Sequence, residues 1–215
     1  MTRSIVFDAP NAARARAVVQ SLNDRYSDLQ QVISANSRHT TLLMINHQII
    51  GRLLYLRLEF STGDASGHNM VTQAADHIMG WMLTQYADLR DISVSGNYCT
   101  DKKVSAVNGI LGRGKNVVAE MRISNEMCEK HLRTTPALLA ELNVKKNLIG
   151  SIAAGSLRSA NAHFANMLLG VYLATGQDAA NIVEGSQGIT HVEAQETGVY
   201  FSVTLPNIIV GTVGA

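Results

Sequence analysis

Residues 40–60 read TTLLMINHQIIGRLLYLRLEF, and this stretch decides the fold of the first part of the chain. Two apolar-rich runs, TTLLMINHQII (40–50) and RLLYLRLEF (52–60), flank Gly51. Leu43, Ile45 and Ile49 on one side, with Leu53, Tyr55 and Leu58 on the other, read as two strands meeting in a hairpin near Gln48–Gly51. Upstream, SIVF (4–7) is a short apolar strand. From Ala9 to about Ser34 the spacing predicts a helix, because Ala13, Val18, Val19, Leu22, Leu29, Val32 and Ile33 recur three and four apart. Downstream, Asp64 to Tyr86 reads as a second helix, with Met70, Ala74, Ile78, Trp81 and Met82 along one stripe. DISVS (91–95) is a further strand. Residues 4–94 therefore read β-α-β-β-α-β, the split arrangement of a ferredoxin-like unit. A doubly wound dinucleotide domain would instead repeat β-α-β.

Beyond Val94 the texture changes. SGNYCTDKK (95–103) is a polar loop, and GRGKNVVAEMRI (112–123) is a turn followed by a strand. Helical stretches are expected at about 124–132, 136–148 and 156–175, with a short one near 178–184. GITHVEAQETGVYFSVTLPNIIVGTV closes the chain as two antiparallel strands turning near Glu196–Gly198. The expected class is α+β. The expected domains are a small one over 4–94 and part of a larger one over 95–215 with 1–3.

The chain has 215 residues, 46% hydrophobic and 16% charged, with a formal net charge of +1. That is globular composition, and the lack of clustered Lys and Arg argues against a nucleic-acid surface. Cys99 and Cys128 make no C-x-x-C pattern, so neither a disulfide framework nor a metal site is expected. The start of the chain has no continuous apolar h-region. The longest stretch free of acidic and basic residues, Ser159–Gln177, contains Asn161, His163, Asn166 and Gln177, and so reads as a buried helix rather than a membrane span. A soluble, cytoplasmic protein is the expectation.

Several motifs carry chemistry. Gly109-x-x-x-x-Gly114-Lys115 approaches a phosphate-cradling loop, but Asn116 stands where Ser or Thr would hold magnesium and a strand follows, so a turn is the better reading. Asp64-Ala-Ser-Gly-His-Asn69 opens a helix directly after a strand. Free N–H groups there can bind a phosphate or pyrophosphate, and an ordinary Asp64 N-cap is the equal alternative. Lys102 and Lys103 beside Asp101 can hold a carboxylate or a developing oxyanion, or simply be solvated. On the expected helix over 156–175, His163, Asn166 and Gly170 share one face. Asp178 begins a short helix, where capping is the default role.

The order and spacing of STGDASGHN (61–69), SGNYCTDKK (95–103), KKNLIGSIAAGS (145–156), NAHFAN with GQDAA (161–180) and LPNIIVGTVG (205–214) resemble the 3-hydroxy-3-methylglutaryl-CoA (HMG-CoA) reductase family, over essentially residues 3–214. The resemblance implies a ferredoxin-like NADP(H)-binding domain joined to a substrate domain, and reduction of HMG-CoA to mevalonate and CoA by two hydrides from NADPH. By position, Lys102 is the implied catalytic lysine and Asp178 the aspartate that tunes it. Arg3, Ser95, Asp101, Lys103, Lys146 and Asn166 match positions holding the hydroxymethylglutaryl group, and His163 lies near the path of CoA. Arg38 matches a position beside the cofactor's 2′-phosphate, and Asp64, Ser66, Gly67, His68 and Asn69 form the dinucleotide loop.

Some positions depart from the family pattern. Ser66 and His68 stand where this loop usually has methionines, and Thr41 where a second arginine is frequent, which leaves NADH open as an alternative reductant. The family also carries a glutamate in an E-N-x-x-G segment upstream of Arg3 and a histidine on a helix after the G-T-V-G run. Neither lies within Met1–Ala215. The resemblance therefore implies a truncated or split enzyme completed by a second chain, with a dimer-based homo-oligomer expected. The alternative is an inactive remnant that still binds NADP(H) or CoA.

Overall fold

The computed structural model of the protein describes residues 1–211. Thr212, Val213 and Gly214 of the LPNIIVGTVG run lie outside them. The chain divides into two compact units. The first comprises Met1–Asp101 and, at the end of the described residues, Gly211; the second is Lys102–Val210.

In the first unit β1 (Thr2–Asp8) is followed by α1 (Ala12–Asp24), α2 (Tyr26–Ser34), β2 (Thr41–Ile50), β3 (Leu53–Ser61), α3 (His68–Gln85) and β4 (Arg90–Val94). The strands form one antiparallel sheet in the order β2-β3-β1-β4. The hairpin sits where the alternation placed it, with Gly51 at φ +59 beside the turn and Ile50 paired with Leu53. Cross-strand partners alternate faces. Ile5 opposite Leu56 and Phe7 opposite Leu54 point to the core, and so do Leu58 and Phe60. Helices α1, α2 and α3 close that face with Val18, Leu22, Leu29, Ile33, Val71, Ile78 and Met82. Each such fully buried side chain contributes about 1.5–3 kcal/mol of burial. The opposite face carries Ser4, Val6, Tyr55 and Arg57, and the segment after β4 lies along it. Tyr98 donates its backbone N–H to Ser4 Oγ at 3.0 Å and packs edge-on against Tyr55.

The expected helix over 9–34 is two helices. Arg25 leaves the helical region at φ −112, ψ 21, its guanidinium lying over Trp81 and bonding Asp28. Tyr26 then donates its hydroxyl to Leu42 O. These contacts compensate for the interrupted ladder. The helix expected from Asp64 begins at His68, because Gly67 at φ +79 cannot continue a helix backwards.

The second unit is built on a three-stranded antiparallel sheet, β5 (Lys115–Ser124), β7 (Gly198–Ile208) and β6 (Ile189–Gln195), with β7 central. Its helices are α4 (Ala106–Leu111), α5 (Asn125–Lys130), α6 (Pro136–Leu142), α7 (Ser151–Ala153), α8 (Phe164–Ala174) and α9 (Ile182–Gly185). Helix α4 was not anticipated, although Ser105 caps it through Asn108 N. Between α6 and α7, Asn143–Gly150 winds as a wider π-type turn. The expected helix over 156–175 is only α8. Gly155, Arg158 and His163 all take positive φ, which breaks the preceding segment. Nor is that helix buried as anticipated: within this chain only Tyr172 is enclosed, while Met167, Val171 and Leu173 face outward.

The apolar core of this unit is small, with Cys128, Val192 and Val199 at its centre. Buried polar groups accompany it. Arg113 Nε donates to Glu184 Oε1 at 2.9 Å with both side chains buried, and Asn181 Nδ2 donates to the same oxygen at 2.7 Å. Among the described residues no helix is long and apolar enough to cross a membrane.

Candidate functional site

The dinucleotide-type loop lies in the first unit between β3 and α3. Asp64 is exposed in the turn and does not cap α3; the cap position is Gly67, and no side chain caps the helix. The first-turn N–H groups of His68, Asn69 and Met70 thus lack a side-chain acceptor, the arrangement that binds phosphates. Gly67 is buried, and a Cβ there would meet Thr62 Cγ2 at 2.5 Å. Only glycine combines that φ with that clearance. Ser66 Oγ and His68 Nδ1 are 3.0 Å apart, which orients the imidazole. The loop's chemistry fits a pyrophosphate: first-turn N–H donors with no side-chain cap among the described residues, a close-approach glycine and an adjacent hydroxyl. Arg38 stands exposed in the bend between α2 and β2 and makes no hydrogen bond or ion pair among the described residues.

Two of the residues expected at the substrate lie against the same loop. Arg3, on β1, donates from its guanidinium to His68 O at 3.4 Å. Asp101, 5% exposed, lies 3.7 Å from His68 Nε2. Ser95 follows β4, its hydroxyl 3.5 Å from Ser4 Oγ and 3.2 Å from Cys99 Sγ. His68 is thus a hub between Ser66, Arg3 and Asp101.

In the second unit Lys102, held in a turn at φ +54, donates Nζ to Asp178 Oδ2 at 2.6 Å. Asp178 is at once an N-cap and an ion-pair partner, since its other oxygen accepts from Ala180 N at 3.0 Å. Both side chains keep about a third of their surface in contact with solvent. A cation so held can stabilise negative charge growing on a carbonyl oxygen. Lys103 is half-buried, and Lys146 is exposed on the Asn143–Gly150 turn. His163 is the N-cap of α8 rather than a residue within it, and its Nδ1 is 3.0 Å from Asn166 Nδ2. The Gly109–Lys115 run is a turn, with Gly112 and Gly114 at positive φ and β5 following. Among the described residues no group of His, Cys, Asp and Glu side chains could hold a metal ion.

Sequence reasoning passed over three features of these sites. Gly211 backs the Asp64–Asn69 loop, where any Cβ would overlap Ser66 N; the glycine-rich end of the chain was the available signal. Asn108 donates to Lys103 O at 2.8 Å, and the Ser105 cap could have revealed its helix. Gln187 donates to Ser105 O at 3.2 Å, and nothing in the sequence joins positions 82 residues apart.

Comparison with known proteins places these geometries in context. Over residues 1–215 the chain matches the family described as Hydroxymethylglutaryl-coenzyme A reductase. It is 49% identical to the 3-hydroxy-3-methylglutaryl-coenzyme A reductase of Pyrococcus abyssi, covering all of this chain and 53% of that protein. Identity is likewise 49% with the Aeropyrum pernix reductase, covering 51% of it, and 44% with reductase 2 of Arabidopsis thaliana, covering 38%. The chain spans about half the length of the archaeal relatives it matches. Among solved structures, the fold is similar to the class II 3-hydroxy-3-methylglutaryl-CoA reductase of Streptococcus pneumoniae bound to NADPH. The TM-score is 0.63 at 15% identity, with 100% of this chain and 60% of that one covered.

Proposed function

Since this chain belongs to the hydroxymethylglutaryl-coenzyme A reductase family, we propose that it forms the NADP(H)-binding and catalytic-lysine core of an enzyme reducing HMG-CoA to mevalonate and CoA. The observation that carries the reading is the Lys102–Asp178 pair at 2.6 Å. A thioester carbonyl accepting hydride becomes an alkoxide, and a fixed ammonium lowers that barrier. Asp178 holds the ammonium in place through Oδ2, while its Oδ1 accepts from the backbone N–H of Ala180.

The first unit is the proposed ferredoxin-like NADP(H) domain. Its element order and the β2-β3-β1-β4 sheet support this, as does the uncapped start of α3 behind Gly67. Here the α3 N–H groups would take the pyrophosphate, Ser66 and His68 would line its approach, and Asp64 and Asn69 would bound the loop. Arg38 is the proposed 2′-phosphate contact. NADPH, when bound, supplies the hydrides, and the departures at Ser66, His68 and Thr41 leave NADH open as an alternative donor. Arg3, Ser95, Asp101, Lys103, Lys146 and Asn166 are, by their match to family positions, the proposed contacts to the hydroxymethylglutaryl group, with His163 near CoA. The second unit is accordingly part of the substrate domain.

A cytoplasmic, homo-oligomeric protein completes the proposal. Two buried thiols without a disulfide among the described residues suit a reducing compartment, and the exposed apolar residues of α8 suit an oligomer.

The test is NADPH oxidation by the natural full-length protein with HMG-CoA or mevaldehyde, followed by loss of nicotinamide absorbance. HMG-CoA-dependent turnover that falls about 10²-fold or more in Lys102→Ala supports the reading. A variant within a few-fold of the parent overturns it.

A further inference from the structure

Lys102 and Asp178 lie on segments with little apolar anchorage. One is a turn at positive φ, and the other an extended residue before the single turn Ala179–Asn181. Their side chains are partly solvated, and an ion pair in such a setting is too weak to hold two backbones in place. Something else must fix the 2.6 Å separation.

Buried amide side chains bond the segments that follow each member of the pair. On the lysine side, Asn108 Nδ2 donates to Lys103 O at 2.8 Å, and Gln187 Nε2 donates to Ser105 O at 3.2 Å. On the aspartate side, Asn181 Nδ2 reaches Glu184 Oε1, which also accepts from Arg113. Gln187 joins the two. It stands two residues beyond the end of α9, is 1% exposed, and gives its second N–H to Leu157 O at 3.1 Å. Its Oε1 accepts from Asn207 Nδ2 at 3.2 Å, and the same Asn207 amide donates to Glu184 O at 3.1 Å. Both donors of Gln187 and its acceptor are used, and its partners sit on the lysine loop, on the segment before α8 and on β7.

We infer that Gln187, with Asn108, is a positioning residue that sets the Lys102 loop in register with the Asp178 turn through this buried amide line. The inference rests on the proposed catalytic role of Lys102 for its effect on rate, but not for its effect on geometry. Neither residue touches substrate. Each acts by keeping the ammonium where the carbonyl oxygen must lie, and a displacement of about 1 Å at such a group typically costs on the order of 10²-fold in rate.

The experiment compares the natural full-length protein with Gln187→Met, which keeps the length and removes the side-chain amide hydrogen bonds. Val192→Ala, which opens the core of the same unit away from the amide line, serves as control. In Gln187→Met, kcat for HMG-CoA reduction is expected to fall roughly 10- to 100-fold with KM for NADPH and HMG-CoA unchanged. Its crystal structure is expected to show Lys102 Nζ beyond hydrogen-bond reach of Asp178. Val192→Ala is expected to lower the melting temperature and leave kcat alone. Should Gln187→Met fail to fold, Asn108→Ala, which removes the Asn108–Lys103 hydrogen bond, is read by the same two measurements. An intact Lys102–Asp178 bond in the folded variant overturns the inference, as does a kcat loss matched by Val192→Ala. If the parent protein does not reduce HMG-CoA, the functional reading fails, and the Lys102–Asp178 separation in the variant still decides whether the amide line positions the pair.

Discussion

Lys102 Nζ and Asp178 Oδ2 meet at 2.6 Å although 76 residues separate them in sequence. Each side chain is more than a third exposed, so the pair contributes little to stability, about 0–1 kcal/mol. Its geometry matters for chemistry instead. Asp178→Asn is therefore expected to leave the melting temperature nearly unchanged and to slow hydride transfer about 10²-fold or more. Single-turnover NADPH oxidation measures the rate, and calorimetry the stability. A large loss of stability with little loss of rate would reverse the assignment.

Gly67 makes the opposite prediction, in which stability and binding fall together. Alanine there must adopt φ +79 and would meet the Thr62 side chain, a strain of about 1–3 kcal/mol. Gly67→Ala is expected to weaken NADPH binding and lower the melting temperature. Gly51→Ala is the control. Its φ of +59 is also unfavourable, but open space surrounds it. That variant should lose about 1–2 kcal/mol and no NADPH affinity, as titration calorimetry would show.

Glu184 is 0% exposed and shares one carboxylate oxygen between Arg113 and Asn181. Removing it takes the Glu184 carboxylate away from the buried Arg113 guanidinium, and breaking a buried ion pair typically costs about 3–5 kcal/mol. Glu184→Ala is expected to destabilise the second unit selectively. Hydrogen exchange resolved by peptide would show lost protection along β7 and α9, with β1 and β3 unaffected.

Tyr172 gives a pH prediction. Burial pushes its phenol above the ordinary tyrosine value of 10.0, partly opposed by the hydrogen bond it accepts from Ile209 N. The folded protein therefore binds this proton more tightly than the unfolded chain. The resulting stability is complete below about pH 10 and is lost as pH rises through the raised folded value. Tyr172→Phe should remove that part of the alkaline sensitivity. At neutral pH it should cost about 1–3 kcal/mol, because Ile209 N loses its acceptor. Chemical denaturation of both proteins from neutral to strongly alkaline pH tests the difference.

Much of the first unit was legible because its signals are local. The apolar-rich runs 40–50 and 52–60, the glycine between them and a helical stripe from Met70 to Met82 each follow from neighbouring residues. The split of the first helix at Arg25 was not legible, since it depends on a stacking contact with Trp81, far along the chain. In the second unit the strands were legible from alternation. The segment 156–163 was not, because Arg158 and His163 take positive φ without being glycine, held there by the surrounding structure. Residues of the candidate sites were named from family spacing, and how they meet was not contained in that spacing.

By itself, then, the sequence determined the hairpin, the α+β order of elements and the family, all of which depend on residue type at short range or on recurring motifs. Only the tertiary structure decided that Gly67 rather than Asp64 stands at the start of α3, that His68 gathers Ser66, Arg3 and Asp101, and that Gln187 ties Ser105 to Asn207. The physical reason is that a buried polar group must find a partner wherever the folded backbone brings one, and that partner can lie at any sequence distance.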